Sequence, residues 1–400
     1  MDPVSPIPAI ACLLVAVATA FVLMKQFGAP QVQGRFATID GLRGYLAFFV
    51  FLHHSCIWYF YLRTGHWKIP PSSLYTHFGQ SSVLIFFMIT GFLFFSKLID
   101  ARTKSIDWGK LFVSRFLRLV PLYLFSIFLL FLVVAYLSNG TLNEPIPQLL
   151  NEAIKWLVFT FLGSPNLNGI QHTATIVAMV TWSLPYEWYF YLSLPLLALT
   201  VKVTPPLPYI AISIACIVLA LLDPLIHAVL LIPFLGGILA SFLVRLDWFR
   251  RFAIKGISSF ISLGCIAIAV VAYPSINGLV PIFLLSASFI FIACGNNMFG
   301  ALLSPVSRTL GEMAYSIYLL HGITLFVTFN IILGLSGSRS LSPVTHWLVV
   351  AGITPILICL SFFTFRYIES PAMRSTTAVT AWLRSRLTPG TKTSNASGKP

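Results

Sequence analysis

Few side chains in this 400-residue chain carry charge, and several that do fall where charge is costly. Arg43 and His54 lie eleven residues apart in TIDGLRGYLAFFVFLHHS. At about 100° per residue this is close to three helical turns, so both side chains share one face, about 16 Å apart along the axis. A neutral imidazole at His54 can take a proton from a hydroxyl group, which is general base chemistry. It can equally be a packing histidine bonded to a neighbouring helix, and both readings are open. His53, one residue earlier, points about 100° away.

Arg115 and Arg118, in SRFLRLVPLY, have the i, i+3 spacing that puts two guanidiniums on one helical face. Such forks bind phosphates bidentately, while the plainer reading is basic flanking of a membrane helix. Glu187, in TWSLPYEWYFYLSLP, is a carboxylate inside an apolar run and needs a partner or a water-filled cavity. Trp182, Trp188 and Tyr191 around it read equally well as an interfacial aromatic belt. His321, in GEMAYSIYLLHGI, is a second buried imidazole, suited to a helix–helix hydrogen bond or to catalysis. Phosphate-loop, dinucleotide and nucleophile-elbow motifs are missing from the sequence.

These residues must be positioned by membrane helices. Hydrophobic residues make up 58% of the chain and charged ones 9%, too few to cover a soluble surface. Apolar runs reach the roughly 20 residues that a bilayer-crossing helix needs. Eleven spans are predicted: 7–24, 44–62, 80–97, 118–137, 182–200, 207–222, 225–244, 257–274, 279–295, 312–334 and 346–365. The first lacks a basic n-region and reads as an accessory helix rather than a signal peptide. Segment 152–163 is apolar but short, and Gly163-Ser164-Pro165-Asn166 ends it; it reads as interfacial or re-entrant. The glycines of GQSSVLIFFMITGF point to close helix approach. Cys12, Cys56, Cys216, Cys265, Cys294 and Cys359 lie singly, with neither disulfide nor zinc spacing, so no metal is expected.

The excess of 25 Lys and Arg over 11 Asp and Glu does not indicate nucleic acid, because the basic residues sit between apolar runs instead of interleaving with aromatics. With the loop 98–117 in the cytoplasm and sides alternating through eleven spans, 21 of the 25 basic residues become cytoplasmic. Arg63, Lys68, Lys155 and Arg339 are the exceptions. The expected N-terminus is then outside and the C-terminus inside.

Taken together, the motifs resemble the acyltransferase-3 membrane proteins, which include O-antigen, exopolysaccharide, Nod-factor and macrolide O-acyltransferases. Ile39-Asp40-Gly41-Leu42-Arg43-Gly44 with His54 is similar to the family's opening motif and its Arg-x10-His spacing. Phe86-Phe87-Met88-Ile89-Thr90-Gly91-Phe92 is similar to FFxxSGF, with threonine for serine. Arg115, Arg118 and Pro121 match RxxRxxP, and Trp182, Ser183, Leu184, Glu187, Phe190 and Tyr191 match WSLxxExxFY. The YSIYLLH run ends on His321, and Ile368-Glu369-Ser370-Pro371 matches the closing IExP.

The resemblance implies an all-α, polytopic transmembrane helical bundle with a core of about ten helices plus the extra N-terminal one. It divides the chain into an accessory helix and linker (1–35), an acyltransferase membrane domain (36–372) and a cytoplasmic disordered tail (373–400). It also implies transfer of an acyl group, usually acetyl, from acyl-CoA to a hydroxyl of a glycan or glycosylated acceptor, in a bacterial inner membrane and in contact with its lipid. By motif matching, His54 is the catalytic histidine, Glu187 a functional position, and Arg43, Arg115 and Arg118 hold the donor's phosphates. Asp40, Trp182, Ser183 and His321 are further candidates. Pro185-Tyr186 departs from the Ser-Val more common in the glutamate motif, and a stand-alone version without a fused C-terminal hydrolase domain is expected. The rival class is a proton-coupled secondary transporter using the buried His and Glu as a relay, but no internal repeat supports it.

Overall fold

A computed structural model describes residues 2–28, 36–222 and 226–387. Among them the chain is a helical bundle, in line with the predicted class. Its helices are α1 (Pro6–Phe27), α2 (Ala37–Thr64), α3 (Ser73–Asp100), α4 (Trp108–Leu137), α5 (Ile146–Leu157), α6 (Ser183–Thr200) and α7 (Leu207–Leu222). Next come α8 (Ile232–Leu243), α9 (Asp247–Ala253), α10 (Gly256–Ala272), α11 (Leu279–Ala293) and α12 (Pro305–Glu312). The last are α13 (Ala314–Phe326), α14 (Gly334–Arg339), α15 (Pro343–Thr364), α16 (Ser370–Arg374) and α17 (Thr376–Leu387).

Each predicted span has a helical counterpart, with different edges. Among the described residues six helices are long and apolar enough to cross a bilayer, or seven if Ala228–Leu243 and Asp247–Ala253, bent by 110° at their break, count as one. Helices α7, α10 and α11 are apolar but shorter. The largest edge error is at α4, which begins at Trp108, ten residues before the predicted 118; α2 begins at Ala37, seven before the predicted 44, so Arg43 lies within its second turn. Hydropathy hides this start because Asp40 and Arg43 are polar, yet they lie one turn apart and pair at 3.8 Å. The start of the predicted span 225–244 falls partly outside the described residues; α8 itself begins at Ile232.

Two segments differ in kind. The short run at 152–163 is helical only to Leu157, as the end of α5, whose first turn carries a proline and which buries only Glu152 and Trp156; residues 158–162 are turns. Part of the expected disordered tail is ordered: Thr376–Leu387 forms α17, and its Arg384 reaches Asp107 at the start of α4. Residues 388–400 of that tail lie outside the described residues.

The core sits where α2, α3 and α13 meet, and its fully buried side chains include Phe48, Phe51, Phe87 and Trp58. Glycine makes two of these approaches possible. A Cβ at Gly91 of α3 would lie 2.5 Å from the Phe234 carbonyl oxygen of α8, and one at Gly79 would lie 2.4 Å from the His53 ring. The close approach inferred from the GQSSVLIFFMITGF glycines is therefore present. Helix α1 packs on α15 at the bundle's edge, tied by Trp347 donating to the Pro3 carbonyl at 2.9 Å.

Candidate active site

Two helices bring basic side chains into one cavity, and a third brings a carboxylate. Asp107 caps the start of α4, accepting the Lys110 backbone N–H at 2.9 Å, and two turns later α4 presents Arg115 and Arg118. That hydrogen bond, followed by the Arg384 guanidinium, holds the Asp107 carboxyl below the usual carboxylate range. Arg43 arrives from α2, and Glu187 and Tyr191 from α6. All five line a cavity of about 280 Å³, walled on the apolar side by Phe86, Phe87 and Phe94 of α3. Arg43, Arg115 and Arg118, expected to lie together, line this one cavity, and Glu187 lines it with them.

The polar groups are only partly satisfied internally. Tyr191 donates to Glu187 Oε2 at 3.0 Å, and the Arg115 guanidinium lies 5.0 Å over the Phe94 ring. Arg118 Nη1 meets only the Met373 sulfur at 3.2 Å, and buried Arg118 Nη2 has no hydrogen-bond partner. Three guanidiniums face one carboxylate inside the cavity. Buried donors of this kind are costly unless an acceptor joins them, so the arrangement suits an anion.

His54 lies elsewhere. It borders a second cavity of about 190 Å³ with His53, Gln80 and Trp182. Val83 and Tyr318 line both cavities and form the partition between them. The Tyr318 hydroxyl is fixed there by Ser183 Oγ at 2.8 Å and by donation to the Val180 carbonyl at 3.0 Å. A third cavity of about 390 Å³ shares Trp182 and is lined by Thr160, Ser164, Thr181, Tyr186 and His227. Because α3 runs from Gln80 past Val83 to Phe94, the histidine cavity lies toward its start and the arginine cavity toward its end. The third cavity follows at the start of α6, beyond Trp182 from the arginines.

The histidines form a cluster. His54 Nδ1 is 2.9 Å from the Val50 carbonyl and 3.1 Å from His321 Nε2. Trp67 stacks on the His54 ring with centroids 6.2 Å apart. His321 is fully buried behind His54 and lines neither cavity. His53, expected to point away from the site, lines the same cavity as His54 and donates from Nδ1 to the Tyr75 carbonyl at 2.7 Å. A rotation of 100° changes neighbours only when the facing surface is narrow, and the missing side chain at Gly79 widens it.

The other sequence candidates divide. Ser183 lines the arginine cavity, and Trp182 separates the second cavity from the third. Asp40 pairs with Arg43 without lining the cavity. Tyr318, Tyr315 and Gln80 were missed. Tyr318 had a readable signal, three residues before His321 on the same helical face.

Comparison with known families bears on this geometry. The model of the acyltransferase-3 family, described as an acyltransferase domain, matches residues 36–366. The chain belongs to the acyltransferase-3 family. The family model spans every helix that contributes a named side chain to the two inner cavities, from Arg43 to Tyr318, and also His321, while α1 and α17 lie outside the match. No match was found among the curated proteins or the solved structures compared with the chain. Membrane acyltransferase activity therefore follows from the family, and the assignment of donor, acceptor and base rests on the site.

Proposed function

We propose that the protein moves an acyl group, acetyl in the simplest case, from acyl-CoA to a hydroxyl of a carbohydrate or glycosylated acceptor. The observation that carries this reading is the adjacency of an arginine-lined cavity, with an unpartnered guanidinium nitrogen at Arg118, to a histidine-lined cavity across Tyr318 and Val83. The donor set fits a phosphorylated substrate: Arg43, Arg115 and Arg118 would face its phosphates, with Glu187 and Tyr191 holding the guanidiniums apart. The apolar wall of Phe86, Phe87 and Phe94 suits an uncharged arm leading inward.

The thioester would then sit beside Tyr318, facing His54. His54 takes the acceptor's hydroxyl proton as the oxygen attacks the thioester carbonyl. The new C–O bond forms, the C–S bond breaks, and the proton is passed on to the departing thiolate. The third cavity, with the faces of Trp182 and Tyr186 among threonine and serine hydroxyls, suits a sugar ring arriving from the opposite end. The arginine end would be cytoplasmic, where acyl-CoA is available, in a bacterial inner membrane.

The test is incorporation of radiolabelled acetyl-CoA by native membrane vesicles that contain or lack the protein. Label in a glycan fraction that appears only with the protein supports the proposal. Proton flux on substrate addition without any label would support the transporter reading instead.

A further inference from the structure

We infer that His321 is a positioning residue for His54: with the Val50 carbonyl it shares the His54 Nδ1 hydrogen as an acceptor, leaving Nε2 as the basic nitrogen. This rests on the reading of His54 as the base. A neutral imidazole has one donor and one acceptor nitrogen, and which is which follows from what each nitrogen faces.

His321 Nδ1 lies 3.1 Å from the carbonyl oxygen of Ile317. A carbonyl has no hydrogen to give, so Nδ1 carries the hydrogen and His321 Nε2 is a bare acceptor. That bare nitrogen lies 3.1 Å from His54 Nδ1, which also lies 2.9 Å from the Val50 carbonyl. Two acceptors converge on one nitrogen, so His54 Nδ1 must hold the hydrogen. His54 Nε2 is therefore the nitrogen without one, on a residue that borders the cavity.

The arrangement does more than choose a tautomer. When His54 Nε2 takes up a proton the ring becomes a cation, and its Nδ1–H strengthens as a donor toward His321 Nε2. The ring is held from behind by this bond and on one face by Trp67, so it cannot swing its basic nitrogen out of the cavity. His321 thus has the part that a buried carboxylate plays behind the histidine of a hydrolytic triad, with a neutral acceptor in place of a charged one.

The experiment compares His321→Gln, His321→Asn and His321→Leu in membrane vesicles supplied with acetyl-CoA. A glutamine amide oxygen can occupy the position of Nε2, whereas asparagine is too short to reach it. A hydrogen bond to a cation formed during the reaction is worth about ten- to a hundredfold in maximal rate, so Leu and Asn should lose that much. Gln should recover most of it, and the KM for acetyl-CoA should stay near wild type in all three. Equal rates for Gln and Asn, or a loss confined to KM, would overturn the inference.

Each variant is first checked for abundance and for a monodisperse elution profile. If Leu does not fold, the Gln and Asn pair still decides the matter. His54→Ala is measured alongside them. Full activity there refutes the base reading itself, whereas an inactive His54→Ala beside a wild-type His321→Leu refutes only the role of His321.

Discussion

The Tyr318 hydroxyl and Ser183 Oγ lie 2.8 Å apart, and this contact holds a tyrosine ring between the arginine cavity and the histidine cavity. In the proposed mechanism, phosphate recognition and proton transfer would thus lie on opposite sides of Tyr318 and Val83. Removing the ring in Tyr318→Ala would join the two spaces. Water should then reach the thioester, and release of CoA thiol should rise severalfold relative to label in the acylated product. A ratio unchanged from wild type would mean that Tyr318 is no partition.

Arg118 tests the donor site. Its Nη2 is buried and unpartnered, so it has the most to gain from a phosphate. Arg118→Ala should raise the KM for acetyl-CoA by about ten- to a hundredfold, the worth of a charge-assisted hydrogen bond. Arg118→Lys should recover only part of this, since it restores charge without the planar fork. Unchanged donor dependence in both variants would remove Arg118 from the site.

Asp107 tests how the arginine helix is anchored. It caps the start of α4 and also receives the Arg384 guanidinium from α17. Losing such a cap costs about 1 kcal/mol, so Asp107→Ala should lower the melting temperature modestly at neutral pH. Because the folded-state carboxyl is held below its usual range, its contribution is present above the unfolded pKa and is lost as pH falls through the lower, folded value. Wild type and variant should therefore converge in strongly acidic solution. A difference that persisted there would assign the effect to something other than the ionised carboxylate.

The two ends of the bundle should face opposite compartments. Asn143 lies in the connection after α4, whereas α17 returns to Asp107 at the helix's other end. A reporter after Pro400 should read cytoplasmic and one inserted at Asn143 external. The same side for both would contradict the proposed direction of substrate entry.

Helical periodicity made the Arg43–His54 face legible, because spacing within one helix is a property of sequence alone. The cavity that Arg43, Arg118 and Glu187 share joins three helices; the motif resemblance grouped the arginines, and nothing in the sequence placed Glu187 among them. His53 was misjudged because its contact is with Gly79, 26 residues later, where the deciding feature is a missing side chain. The bond between His54 and His321 spans 267 residues, and no local pattern announces it. Hydropathy likewise missed the first turns of α2 and the whole of α17: polar residues pair locally in the first, and the second is held by an ion pair to α4.

His54 is proposed as the base, and its rival is His53, which lines the same cavity. The deciding measurement is the maximal rate of acetyl transfer by His54→Ala and His53→Ala, each shown to be folded, membrane-inserted and present at wild-type abundance. General base catalysis is worth about 10²–10⁴ in rate, so His54→Ala should lose at least a hundredfold, and His53→Ala should lose less. A folded His54→Ala that transfers acetyl at the wild-type rate, or one that outperforms His53→Ala, would contradict the account.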